Sequence, residues 1–229
     1  MTPQTAHRFS LLAAALLLVL ASYSVLQPHV VACGGLAGNY PPILAFEFAR
    51  SVGDLHALFG DVPGACRSAA VAGLGRINTG DSLLFIPVYG AFLIFSMLAF
   101  LPNHPRLARW AILTTLIACS ADYFENICLF QLASQLDAPS LWLFLLPWAT
   151  GVKWLLLALA GVAGAALLTR KPAWQRLTTG LALAGLLIVA AALAIPHDFG
   201  RLASLGVGIN WLLFLIADVA ALRQGALAR

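Results

Sequence analysis

Asp122, Glu125 and Asn126 fall close together in a stretch that is otherwise apolar, and Lys153 is the one charge well inside the next apolar stretch. Carboxylates, an amide and an ammonium at such positions can exchange protons with a substrate, hold an ionic head group or relay protons. A charge at the centre of a bilayer costs about 2.5–3.5 kcal/mol on insertion scales, so such residues face a bundle interior and usually do something there. Two acids facing one base leave a surplus acid, and because close like charges raise one carboxyl's pKa, one of the two is expected to be protonated at neutral pH. Asp122, Glu125 and Lys153 are therefore the candidate catalytic residues.

Spacing places these groups on a common face. Thr115, Cys119, Asp122 and Asn126 recur at helical intervals, and Glu125 follows Asp122 by one turn. That face is small or polar throughout and should point away from lipid. Asp122 lies roughly 12 Å and Lys153 roughly 18 Å below the same membrane surface, at 1.5 Å per residue. Asp81, Phe85 and Tyr89 share a second face, and Asn210 lies inside the last apolar segment. Asp81, Tyr89, Asn126 and Asn210 are the candidate binding residues, in a polar pocket open toward the outer leaflet and walled by Trp148, Trp154 and Trp211. The plainer readings are that Thr79-Gly80-Asp81 caps a helix, that Asn210 joins helices, and that Asp218 pairs with a basic residue nearby. Gly161 and Gly164 allow a close helix approach. His7, His29, His56, His104 and His197 all fall at segment ends or in loops.

The elements that carry these residues follow from composition. Of the 229 residues 61% are apolar and 10% charged, against about 25% charged in soluble domains. Six apolar segments, near 9–27, 82–101, 107–130, 141–169, 177–195 and 202–222, are each long enough to cross roughly 30 Å of hydrocarbon. The fold class is an all-α, six-span transmembrane bundle, a single membrane domain over 1–229. Residues 28–80 form a long extracytoplasmic loop. Within it Leu44, Phe48, Val52, Leu55 and Phe59 make one helical stripe, so an amphipathic helix is expected over about 43–59. Glu47, Arg50 and Asp54 lie off the stripe, at spacings that allow them to pair with one another.

Lys and Arg set the orientation. Arg8, Arg106, Arg109, Arg170, Lys171, Arg176, Arg223 and Arg229 fall on one side, and Arg50, Arg67, Arg76 and Arg201 on the other. The richer side is cytoplasmic by the positive-inside rule, which puts both termini there. The first segment also reads as a signal peptide, with Val30-Val31-Ala32-Cys33 resembling a lipoprotein processing box; Gln27-Pro28-His29 and the length of the run favour a retained helix. Cys33 and Cys66 share the outer loop and can form a disulfide, remain free thiols, or leave Cys33 as a lipidation site. Cys119 and Cys128 read as small packing residues.

The order Phe46-Glu47-Phe48-Ala49, Asp81 with Phe85 and Tyr89, Ala121-Asp122-x-x-Glu125-Asn126, then Lys153 resembles a set of poorly characterised bacterial multi-pass membrane proteins, over about residues 43–160. The resemblance implies a bacterial cytoplasmic membrane and attaches no activity. The topology is also similar to small sterol-isomerase and sigma-receptor-like bundles, which place buried acids beside a lipid-facing pocket; those have fewer spans and a different motif order.

Several function classes are excluded. There is no basic patch interleaved with aromatics, so nucleic acid is not expected as a partner. There is no P-loop, dinucleotide fingerprint, Gly-x-Ser-x-Gly elbow or metal-ligand spacing, so neither a cofactor nor a metal is expected. The expected partners are the lipid bilayer and an amphiphilic small molecule or lipid bound at the charged pocket, with the question whether it is also acted on there left open. The alternatives are a proton-coupled transporter and a non-enzymatic scaffold in which the charges fix helix register.

Overall fold

The computed structural model describes residues 1–26, 30–36, 40–138, 140–167 and 172–227. Among the described residues the chain is helical, with no strand. Long helices α1 (Pro3–Leu26), α6 (Pro105–Leu132), α7 (Leu141–Leu167), α8 (Pro172–Ala194) and α10 (Ala203–Leu227) are joined by a composite helix. That composite runs through α4 (Ala65–Gly80), a π-helical turn (Asp81–Phe85) and α5 (Ile86–Phe100). Six spans among the described residues are long and apolar enough to cross a membrane. The protein is an integral, multi-pass membrane protein. Arg170, Lys171 and Arg229, and the Gln27-Pro28-His29 segment, lie outside the described residues.

The spans pack as neighbours in an order that follows their short connections. Helix α1 lies on α5 and α10, α6 on α5 and α7, and α8 on α7 and α10. Small residues set the closest approaches: a Cβ at Gly164 would collide with the Phe214 ring, and one at Gly161 with the Asn210 side chain. Leu12, Leu16, Val19, Leu116, Phe144 and Leu187 stay exposed on the outer faces, as a lipid-facing surface requires.

The second span differs from expectation. Its helix begins at Ala65, so Thr79-Gly80-Asp81 lies mid-helix and caps nothing. Pro87 has no N–H to give to the Leu83 carbonyl, and the turn before it widens into the π form. Such one-turn π segments recur at functional positions because they re-aim side chains without ending the helix.

The loop helix is also not one helix. Its chain forms α2 (Pro42–Glu47) and α3 (Val52–Phe59), broken between Phe48 and Ser51. Pro42 starts α2, with its fixed φ suited to the first turn. Ser51 restarts the chain with a capping box, accepting from the Asp54 backbone N–H while the Asp54 carboxylate accepts from the Ser51 N–H. Gly60 ends α3 at φ 80°, a left-handed backbone that favours glycine. The expected stripe is accordingly split: Phe46, Ala49, Leu58 and the charged Glu47 are buried along with Leu44, Phe48, Leu55 and Phe59.

Three devices fasten this loop over the bundle. Cys33 and Cys66 are joined as a disulfide. Arg67 makes a two-pronged pair with Asp137, at 2.7 and 2.9 Å, and donates to the Gly60 carbonyl at 2.5 Å. His56 lies 3.0 Å from the same Asp137 carboxylate. The chain before α2 runs across the end of α3, where the Cys33 and Leu36 N–H groups meet the Leu58 and Ala57 carbonyls at 2.8 and 3.0 Å. Gly34 sits so close to the His56 carbonyl that a Cβ would clash.

Candidate functional site

Helix α6 turns Asp122, Glu125 and Asn126 inward together because they are three and four residues apart. Helix α7 runs antiparallel to it and presents Thr150, Lys153 and Trp154, all buried. From above, α2 inserts Glu47. The Thr150 hydroxyl donates to the Glu47 carbonyl at 3.0 Å and fixes the end of α2 against α7.

Lys153 is the hub. Its ammonium lies 3.0 Å from Glu47 Oε2, 3.3 Å from Asp122 Oδ1 and in direct contact with Glu125 Oε2. Trp154 Nε1 donates to Glu47 Oε2 at 3.2 Å, and the ammonium stands 4.9 Å from the Trp154 ring centre. The Tyr89 hydroxyl donates to Asp122 Oδ2 at 2.7 Å. Glu125 Oε1 is buried with no partner among the described residues. One ammonium thus faces three carboxylates, an excess of acid over base at close range in a buried site. At Glu47 burial raises the carboxyl above its ordinary range, against the opposing pull of Lys153.

A second tier lies beside the hub. Asn126 Nδ2 donates to Asp81 Oδ2 at 2.7 Å and lies 2.9 Å from Ser82 Oγ, both in the π turn. Asn78 Nδ2 donates to the Asn126 carbonyl at 3.0 Å. The widened turn therefore points Asp81 and Ser82 at Asn126 of α6, the residue that follows Glu125. Among the described residues no three His, Cys, Asp or Glu side chains are arranged to hold a metal ion; the ammonium occupies the centre of the carboxylates.

The structure brings Asp122, Glu125, Lys153, Tyr89, Asn126 and Asp81 into one connected cluster. It departs from the sequence reading in five respects. The cluster is not open: Asp122, Asn126 and Lys153 are each 4% exposed and Glu125 is 0%, because α2 closes it. Glu47 does not pair with Arg50 or Asp54 but enters the hub; its position between Phe46 and Phe48 was the available signal. Asn210 is not in the cluster, being seated on Gly161 and Gly185 instead. Trp148 faces outward and walls nothing. His7 is a buried residue of α1 rather than an end group, lying 2.6 Å from Asp218 as the nearby partner expected for that acid.

The chain matches no family model, no curated protein and no solved structure. Its site is therefore read from geometry alone.

Two features surround the site without joining it. The Tyr40 hydroxyl donates to the Pro196 carbonyl at 2.8 Å, tying the start of the lid to the α8–α9 junction, where α9 is Pro196–Phe199. Burial pushes that phenol up to about 12. An open recess of about 370 Å³ lies outside the lid between Arg67, Val71, Ala133 and Asp137. There the hydrogen bond from Arg67 holds the Asp137 carboxyl below its usual value.

Proposed function

We propose that this protein binds an amphiphilic small molecule or lipid by its polar head at the Lys153 cluster, and exchanges protons with it. The observation that carries the reading is the excess of carboxylates over ammonium in a buried site. A basic or hydroxyl-bearing head group entering there meets acceptors of opposite charge and carboxyl groups able to give or take a proton. The apolar tail would lie along the span surfaces. Glu47 belongs to the lid and its side chain is 12% exposed, the most accessible of the hub's carboxylates. Entry by displacement of α2 would expose Glu47 first. The oxidised cysteine pair and the uneven arginines support a lid on the extracytoplasmic side and both termini in the cytoplasm; the bacterial cytoplasmic membrane follows from the sequence resemblance.

Native mass spectrometry of the protein released gently from membranes tests this. The expected result is a bound amphiphile on the wild type that falls at least tenfold in occupancy in Glu125→Gln and Glu47→Gln, both still disulfide-bonded and cooperatively folded. A wild type free of any bound amphiphile, or equal occupancy in the folded variants, rejects the proposal.

A further inference from the structure

A second buried acid lies toward the opposite end of the bundle. Asp218 on α10 is fully buried. Its Oδ2 lies 2.5 Å from the Ser10 hydroxyl of α1 and 2.6 Å from the Ser96 hydroxyl of α5, and its Oδ1 lies 2.6 Å from His7 Nδ1. Ser10 and Ser96 are 2.7 Å apart, so three helices meet on one carboxylate. His7 is slightly exposed and packs edge-on to Phe100, near the end of α5. The hub at Lys153 does not use this group.

The interval between the two acids is not uniformly apolar. Asn210 packs on Gly161, two turns beyond Lys153 on α7. Asp218 lies two turns beyond Asn210 on α10, so Asn210 stands roughly 12 Å along the helices from each. Asn210 is fully buried, and neither its amide nitrogen nor its oxygen has a partner among the described residues. The adjacent Trp211 Nε1 is likewise buried and without one. Buried polar groups at such positions are met by water. The Trp211 ring lies 5.3 Å from Tyr89, whose hydroxyl is bonded to Asp122. On the other side, Phe92 and Phe214 meet edge to face at 6.4 Å. Phe92 is also bonded through its carbonyl to Ser10, at 3.2 Å.

We propose that the protein carries a proton path through the bundle, from the Lys153 cluster to Asp218, with Asn210 and Trp211 holding water at its midpoint and Phe92 and Phe214 forming its narrowest layer. In one passage a carboxyl group of the hub gives its proton to water and becomes a carboxylate. The proton crosses by successive O–H exchange and is taken up by the Asp218 carboxylate. It leaves by way of the His7 imidazole to the solution at that end, and the hub carboxylate is reprotonated from the lid side. Only O–H and N–H bonds are made and broken, and one positive charge crosses per passage.

The path begins at the site proposed for the amphiphile but needs none bound, so the two ideas separate experimentally. Purified full-length protein is reconstituted into phospholipid vesicles holding a pH-sensitive dye and high potassium, and valinomycin supplies the compensating charge. Wild-type vesicles are expected to acidify at least tenfold faster than protein-free vesicles, with Asp218→Asn and Asn210→Leu each losing nine-tenths or more of that excess. Both variants are compared at matched folded content, read by circular dichroism; Asn210→Leu keeps the heavy-atom count of the side chain and removes its two polar atoms, which have no partner among the described residues. It should also keep any amphiphile seen on the wild type by mass spectrometry. Wild-type acidification no faster than that of empty vesicles, or Asn210→Leu as fast as the wild type, overturns the proposal.

Discussion

Replacing Lys153 by Met removes the one cation that, among the described residues, touches all three buried carboxylates, while keeping most of the side chain's volume. Two of those ion pairs span 3.0 and 3.3 Å, and the third is a direct contact. At an effective dielectric of about 20, a single pair near 3 Å carries on the order of 5 kcal/mol of gross attraction. The net loss is smaller, because desolvation of the ammonium is relieved and the carboxylates take up protons. Breaking a buried pair from one side leaves a cost of about 3–5 kcal/mol, and that is the expected destabilisation of Lys153→Met. A double-mutant cycle with Glu125→Gln sharpens the test. Removing the acid after its partner is gone should cost far less than removing it first, leaving an interaction energy of about 1–3 kcal/mol. Reversible unfolding in mixed micelles, followed by circular dichroism, measures all four corners. A Lys153→Met loss below about 1 kcal/mol, or single effects that add within about 0.5 kcal/mol, would refute the shared-ammonium account.

Other consequences are equally direct. Reducing Cys33–Cys66, a loop spanning a sequence separation of 33, should cost about 3–4 kcal/mol by chain entropy and speed deuterium exchange in α2 and α3 ahead of the spans; unchanged exchange there would show that the disulfide does not hold the lid. Glu47 has its carboxyl raised by burial from an ordinary 4.5, so the packed lid favours the protonated form. Its contribution is then complete below pH 4.5 and declines as pH rises through the raised value. The wild type should lose thermal stability relative to Glu47→Gln as the pH is raised above 4.5, and parallel melting curves would contradict it. Gly164→Ala places a methyl inside the Phe214 ring and should cost about 1–3 kcal/mol by overpacking, whereas Gly75→Ala, which meets nothing, should be neutral or stabilising in the same melt.

The spans were legible because apolar length is a one-dimensional signal, and α6 and α7 became neighbours in the reading because a short loop joins them. The Asp122–Glu125–Lys153 contact followed from helical period and depth together. Glu47 was missed for a physical reason: a helical stripe assigns one apolar face to an unbroken helix, and the break at Phe48–Ser51 re-aims α2 so that a flanked acid points inward. Asp81 was legible as a member of the Phe85–Tyr89 face, whereas the π turn that aims it at Asn126 was not, because periodicity assumes an ideal helix. Asp218 and His7 are 211 residues apart, and no local pattern joins them; only the packing of the first span against the last does so.

The central claim is that a dry site with more acids than bases holds protons at neutral pH. Infrared difference spectroscopy on the purified protein at pH 7, in about the range where exposed carboxyls are fully ionised, addresses it most directly. The account predicts a protonated-carboxyl C=O band that shifts on deuteration and weakens in both Glu47→Gln and Glu125→Gln. A spectrum with ionised carboxylates alone would contradict it.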